Sequence, residues 1–468
     1  MSEPTAVRGA FDVRRAGVLL HVTSLPGGRL GAEAERFVDF LADAGCTVWQ
    51  VLPLVPTHAE VPSPYDATSA MACNPDLISE EQQAELGLDE PAHLGEVERA
   101  SFERWCDAQA DWLEPFVEFT ALRELHDDAP WLGWPAPLRD RDPGAVEKAL
   151  APLADRLTEL RFEQWVFDVQ WQRLRGYAAA KGVLFFGDLP IFVSLDSADV
   201  WASRELFKLD EAGRPITVTG CPPDYFAEDG QRWNNPHYDW EAMAADGYAW
   251  WRRRIARQRE LFDLVRIDHF RGFEAAWHVP LEAETAREGW WVPGPRADIL
   301  SALVDAAGVG SLVAEDLGLI TPEVNELRER FDVPGMKVLQ FAFDGDPDNL
   351  YLPHQHGEHS VVYTGTHDND TTLGWWSEVD ESTRSRVRDL LPDPDEDMPW
   401  AFIRLAMTST ARLAVVPAQD LLGLGSESRM NTPGTAAGNW SWQAPEGVFD
   451  DDLAARLRSV VESASRRQ

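Results

Sequence analysis

Residues 262–273 read FDLVRIDHFRGF, and here Arg266 interrupts, and Asp268 ends, the apolar run that starts at Leu264. In an extended strand, residues two apart point to one side, so this spacing sets a guanidinium beside a carboxylate. A fixed cation favours the ionised carboxylate, the form a nucleophile needs. The same pair would also serve as a plain buried ion pair. Three further apolar runs end alike. GVLFFGDLP (182–190) brings Asp188, SLVAEDLG (311–318) brings Glu315 and Asp316, and HSVVYTGTHDND (359–370) brings His367 and Asp368. Taken singly, each carboxylate reads as a helix cap or a loop residue. Four runs that end this way read as one cluster. Clustered carboxylates raise one another's pKa and supply both an acid and a base near neutrality.

Three chemistries use such a cluster. One is exchange of a glycosidic bond by a carboxylate nucleophile and a carboxylic acid. Another is catalysis by a divalent metal. The third is proton abstraction next to a carbonyl. HQHGEH (354–359) offers His354, His356 and His359, but it lies in a polar stretch and reads as a solvated loop rather than a metal site. No phosphate-binding G-x-x-x-x-G-K-S loop occurs, and no lysine ends a run near the cluster.

Positioning these groups requires strands whose ends converge. The four runs belong to a set of eight, completed by 16–25, 47–54, 336–343 and 413–423. Most are near-continuously apolar, as parallel strands covered on both faces are. Helical patterns such as AERFVDFLADAG and TPEVNELRERF lie between several of them. The expectation is an α/β fold, a (β/α)8 TIM barrel with its site on the C-terminal rim. Two intervals exceed a crossover helix. Residues 75–180 hold two long amphipathic patterns and read as an inserted helical subdomain leading into the third strand. Residues 191–250 hold TGCPPDYFAEDGQRWNNPHYDW, whose Gly, Pro and Asn argue against any regular element and for a long structured lid loop. The expected division is residues 1–74 for the first barrel strands, 75–180 for the insertion, 181–445 for the remaining barrel and 446–468 for a terminal helix.

The net charge is −37, with 79 Asp and Glu against 42 Lys and Arg, which disfavours nucleic-acid and anionic-membrane partners. Only four cations are lysines, and the acidic residues are dispersed; this reads as a surface kept soluble in high salt. The 20 tryptophans fit a large core or a surface that stacks on sugar rings. Four widely spaced cysteines without a C-x-x-C pair, and no apolar leader or membrane-length run, point to a reduced, cytoplasmic protein.

Nine segments follow one another in a familiar order: SPYDATSA, GDLPIFV, DSADVW, CPPDYFAEDGQRWNNP, RIDHFRGF, AEDLGLITPEV, PGMKVLQFAF, TGTHDNDTTLGWW and QDLLGLGSESRMNTPGT. From about Arg15 to Trp442 the chain resembles the 4-α-glucanotransferases, or amylomaltases, relatives of the α-amylases. The resemblance implies transfer of α-1,4-glucan segments among maltooligosaccharides and glucose, without a cofactor; an α-glucan hydrolase is the alternative. It implies Asp268 as nucleophile, Glu315 as acid and then base, and Asp368 as a carboxylate that holds sugar hydroxyls. Arg266 would keep Asp268 charged, His367 and Asp188 would bind the same sugar, and Tyr65 would stack on it. The segment from Tyr225 to Trp233 would wrap the glucan, and Asn439 would join the substrate-binding set. Asn234 stands where the family usually has glycine, and Gln443 where it often has arginine.

Overall fold

A computed structural model describes residues 9–58, 61–223, 228–435 and 437–466. Twelve strands occur among them: β1 (Arg15–Leu19), β2 (Val48–Gln50), β3 (Leu184–Pro190), β4 (Thr217–Cys221), β5 (Gln231–Pro236), β6 (Leu264–Asp268), β7 (Ala275–Pro280), β8 (Trp290–Pro293), β9 (Leu312–Ala314), β10 (Gly335–Val338), β11 (Ser360–Tyr363) and β12 (Leu413–Pro417). Eight of them form one all-parallel sheet in the order β10-β11-β12-β1-β2-β3-β6-β9. These are the eight apolar runs. The ends of the sheet meet where Ala314 N donates to Pro334 O at 2.8 Å, and the result is a (β/α)8 barrel.

Alternate residues of each barrel strand face two different cores. Leu264, Phe186, Val313, Val361, Tyr363 and Val415 pack together inside the barrel. Val265, Ile267, Phe185, Leu189, Ala314, Val362 and Val416 pack outward with the helices. The period of two therefore turns Arg266 and Asp268 inward with Leu264, and Asp188 inward with Phe186. By the same parity Glu315, two beyond Val313, turns inward as well.

Between β2 and β3 run the helices Glu96–Leu125 and Ala154–Ala180. They lie antiparallel, with Phe102 early in the first against Trp165 midway along the second, and Glu124 at the end of the first paired to Arg156 at the start of the second. Residues 191–250 depart from the irregular lid expected of them. They contain the helices Ala198–Ala202 and Trp240–Ala245 and the strands β4 and β5. The two strands join β7 and β8 in an antiparallel sheet of order β5-β4-β7-β8. The residues that argued against regular structure serve it. A Cβ on Gly220 would stand 2.2 Å from Gln231 O, so glycine lets β4 approach β5 where their register shifts. Asn234 takes φ 65°, a left-handed conformation that asparagine tolerates better than most residues. Ladder hydrogen bonds are made by the backbone, so a polar, glycine-containing pattern can still pair.

Candidate active site

Sheet register assembles the rim. In the β3–β6 ladder Asp188 lies opposite Arg266 and Pro190 opposite Asp268. In β6–β9 Ile267 lies opposite Ala314, and Glu315 N continues the pairing by donating to Ile267 O at 3.0 Å. Asp268 and Glu315 are thus the next residues along two adjacent strands.

Arg266 binds both neighbours. Its Nη1 donates to Asp188 Oδ1 and Oδ2 at 2.7 and 2.6 Å, and its Nη2 donates to Asp268 Oδ1 at 2.9 Å. The guanidinium and the Asp188 carboxylate are buried, whereas the Asp268 side chain keeps 29% of its surface open to the cleft. Tyr65 Oη donates to Asp188 Oδ2 at 2.7 Å, which completes a chain from Tyr65 to Asp268. The main attachment of Arg266 is therefore Asp188, and Asp268 shares the same cation.

Glu315 is held differently. Its Oε2 accepts from His269 N at 2.7 Å and its Oε1 from Leu317 N at 3.1 Å. Burial pushes the pKa of Glu315 up from the usual carboxylate range, the charge of Asp268 adds to the rise, and Arg266 opposes it. Burial also raises Asp268, against the pull of Arg266. Asp316, the other acid of the AED triplet, points away from this pair. It accepts from Met336 N at 2.6 Å and faces Arg328 at 3.4 Å, filling the seam between β9 and β10.

Asp368 lies in the turn after β11. Asn431 Nδ2 donates to its Oδ1 at 2.6 Å, and His367 Nε2 stands 3.4 Å from its Oδ2. His367 is buried, and burial lowers its pKa despite Asp368. Its ring stacks on Tyr65, with centroids 5.1 Å apart and planes at 11°. Trp440 flanks both rings, 5.7 Å from Tyr65 and 5.9 Å from His367. Trp233 meets the His269 ring edge-on at 4.8 Å.

Asp188, Arg266 and Asp268 thus share one network with Tyr65, while Glu315 follows Asp268 along the register and Asp368 joins through His367. Trp233 is linked to it through His269. The hydrogen bonds of Asn439 tie it to its own loop, at Thr432 N and Thr435 O, rather than to those groups. Tyr225 lies outside the described residues. Three residues of this site escaped the sequence reading: Asn431, Arg429, which donates to Asp368 O at 2.5 Å, and Trp440. Arg429 and Asn431 sit in the SRMNTPGT stretch, where polarity without a strand end gave no signal. Among the described residues no group of three His, Cys, Asp or Glu side chains could hold a metal ion. His356 is not solvated: it is buried and bonds Ser409 Oγ and Tyr351 O at 2.7 and 2.8 Å.

A family profile described as 4-alpha-glucanotransferase matches residues 20–97 and 84–448. The 4-alpha-glucanotransferase of Thermus thermophilus is 46% identical over 97% of this chain and 99% of its own. That of Synechocystis sp. is 44% identical over 98% and 99%. Among solved structures, an amylomaltase from Streptococcus agalactiae in complex with acarbose superposes with TM-score 0.92 at 30% identity, covering 97% of this chain and all of that one.

Proposed function

The chain belongs to the 4-alpha-glucanotransferase family, and on that premise we propose that it moves α-1,4-glucan segments by a retaining double displacement centred on Asp268 and Glu315. The donor is a maltooligosaccharide, and the acceptor is the 4-hydroxyl of glucose or of another glucan. Asp268 attacks the anomeric carbon while Glu315 gives its proton to the departing glycosidic oxygen. A β-glucosyl ester of Asp268 results. The acceptor hydroxyl then loses its proton to Glu315 and attacks the same carbon, so two inversions preserve the α linkage. Asp368, held by Asn431 and His367, grips hydroxyls of the reacting sugar, with Tyr65, Asp188 and His367 beside it.

The observation that carries this reading is the sharing of a single guanidinium. Asp188, Asp268 and Glu315 are neighbours, and Arg266 is the cation hydrogen-bonded among them, to Asp188 and Asp268 but not to Glu315. Ionising both Asp268 and Glu315 is unfavourable in so confined a space. The charge settles on Asp268, which Arg266 touches, and the proton on Glu315, which it does not. A nucleophile and an acid follow from the difference.

Transfer requires the acceptor hydroxyl to outcompete roughly 55 M water, which a well-positioned acceptor achieves through high effective molarity. The β4–β5 hairpin with Trp233 supplies one wall for such an acceptor. Incubation with maltotriose tests the proposal. The expected products are glucose and a ladder of longer chains; glucose and maltose alone would mark an α-glucan hydrolase instead. No helix among the described residues is long and apolar enough to cross a membrane.

A further inference from the structure

We propose that His269 is a positioning residue: its left-handed backbone aims the amide that holds Glu315, and β5 keeps it there through Trp233. This deepens the preceding reading and rests on Glu315 being the acid and base. His269 has φ 51° and ψ 46°, a region that residues other than glycine seldom enter. The conformation directs its N–H to Glu315 Oε2 at 2.7 Å. Its carbonyl accepts from Gly272 N at 2.9 Å and starts the turn that follows. Both peptide groups are therefore committed, and the residue cannot relax to an extended form without releasing Glu315.

The side chain holds this geometry by packing. Trp233 meets the ring edge-on at 4.8 Å and 85°, and Phe192 lies 6.2 Å away. Nε2 is buried without a hydrogen-bond partner among the described residues, and burial pushes the imidazole pKa down to about 3. The ring is neutral near pH 7 and serves as a plate rather than a proton donor. Two residues on, Arg271 donates to Leu319 O, so the same loop grips the Glu315 segment at a second point.

A backbone N–H bonded to a carboxylate fixes its direction and favours its ionised form. The charged and titratable groups facing Glu315 are Asp268 and Arg266 on β6, Asp316 on its own loop, and Tyr351. None of them changes when His269 is replaced, so a shift in Glu315 reports the amide.

The test compares His269→Val, His269→Asn and Glu315→Gln on maltotriose and on α-maltosyl fluoride. With maltotriose the leaving oxygen needs the proton of Glu315. With the fluoride, Asp268 attacks C1, the C–F bond breaks, and fluoride departs with the electron pair and no proton. Glu315→Gln is expected to lose on the order of 10²–10⁴-fold on maltotriose while still releasing fluoride in a burst. His269→Val, whose β-branch disfavours the left-handed region, is expected to lose about 10–100-fold in kcat on maltotriose with little change in KM or in the rate of the fluoride burst. The basic limb of its pH profile moves to higher pH, because the lost N–H had favoured ionised Glu315. His269→Asn, which tolerates the conformation, keeps activity within about 5-fold. A fluoride burst slowed in His269→Val as much as turnover on maltotriose, or damage in His269→Asn as deep as in His269→Val, overturns the proposal. Loss of fluoride release in Glu315→Gln would instead remove the acid–base reading beneath it.

Discussion

The arc formed by β3, β6 and β9 and the hairpin formed by β4 and β5 both face the cleft, yet they are built on opposite principles. In the arc, register decides everything: Asp188 opposite Arg266, Asp268 one step on, Glu315 on the next strand. Each group is then fixed by charge-assisted or backbone hydrogen bonds of 2.6–3.1 Å. In the hairpin, position depends on a register shift at Gly220, a left-handed Asn234 and an aromatic edge contact from Trp233. On the proposed mechanism the arc sets whether a glycosyl ester can form, and the hairpin sets what reaches it.

The contrast orders the consequences of substitution. Asp268→Asn removes the proposed nucleophile and is expected to lower kcat by about 10⁴-fold or more, measured as glucose released from maltotriose. Arg266→Lys keeps the charge but cannot reach three carboxylate oxygens from one planar group; a fall in kcat of about 10²-fold is expected, with a lower melting temperature because Asp188 is buried. Trp233→Ala leaves the hydrogen bonds of the arc in place but removes the ring that packs on His269. Its expected signature is a ratio of transfer to hydrolysis lowered by about 10-fold, read from product analysis, with a smaller fall in donor consumption than His269→Val shows. An equal fall in both activities would erase the distinction between the two regions.

The smallest effect is thermodynamic. Burial raises the folded-state pKa of Asp268 above its ordinary 3.8. A group raised in the folded state contributes stability below its unfolded pKa and loses it as pH rises through the folded value. Asparagine keeps the neutral form at every pH. Asp268→Asn should therefore match the wild type below pH 3.8 and melt higher, by about 2 °C, at pH 8, as scanning calorimetry at both pH values would register.

The same contrast explains what the sequence disclosed. Strand ends and the period of two placed Asp188, Arg266, Asp268 and Glu315 correctly on the inner rim, because register and parity follow from apolar patterning. The hairpin was hidden, because β4 and β5 pair through backbone groups that no side-chain pattern records. Asn431 and Trp440 lie in a loop whose path is set by tertiary contacts, and Trp440 has φ 63°. The tryptophan excess divides likewise: Trp49, Trp131, Trp171, Trp201 and Trp251 are fully buried in the core, whereas Trp233 and Trp440 reach the site.

The covalent intermediate is the feature of the proposed mechanism that chemistry can trap. Glu315→Gln supplied with α-maltosyl fluoride and no acceptor should accumulate a glycosyl ester, because the base that activates the second attack is absent. After acid quench and digestion, one maltosyl mass is expected on the peptide carrying residues 262–273, located at Asp268. A label on another residue, or fluoride release without any adduct and with inverted product, would contradict it.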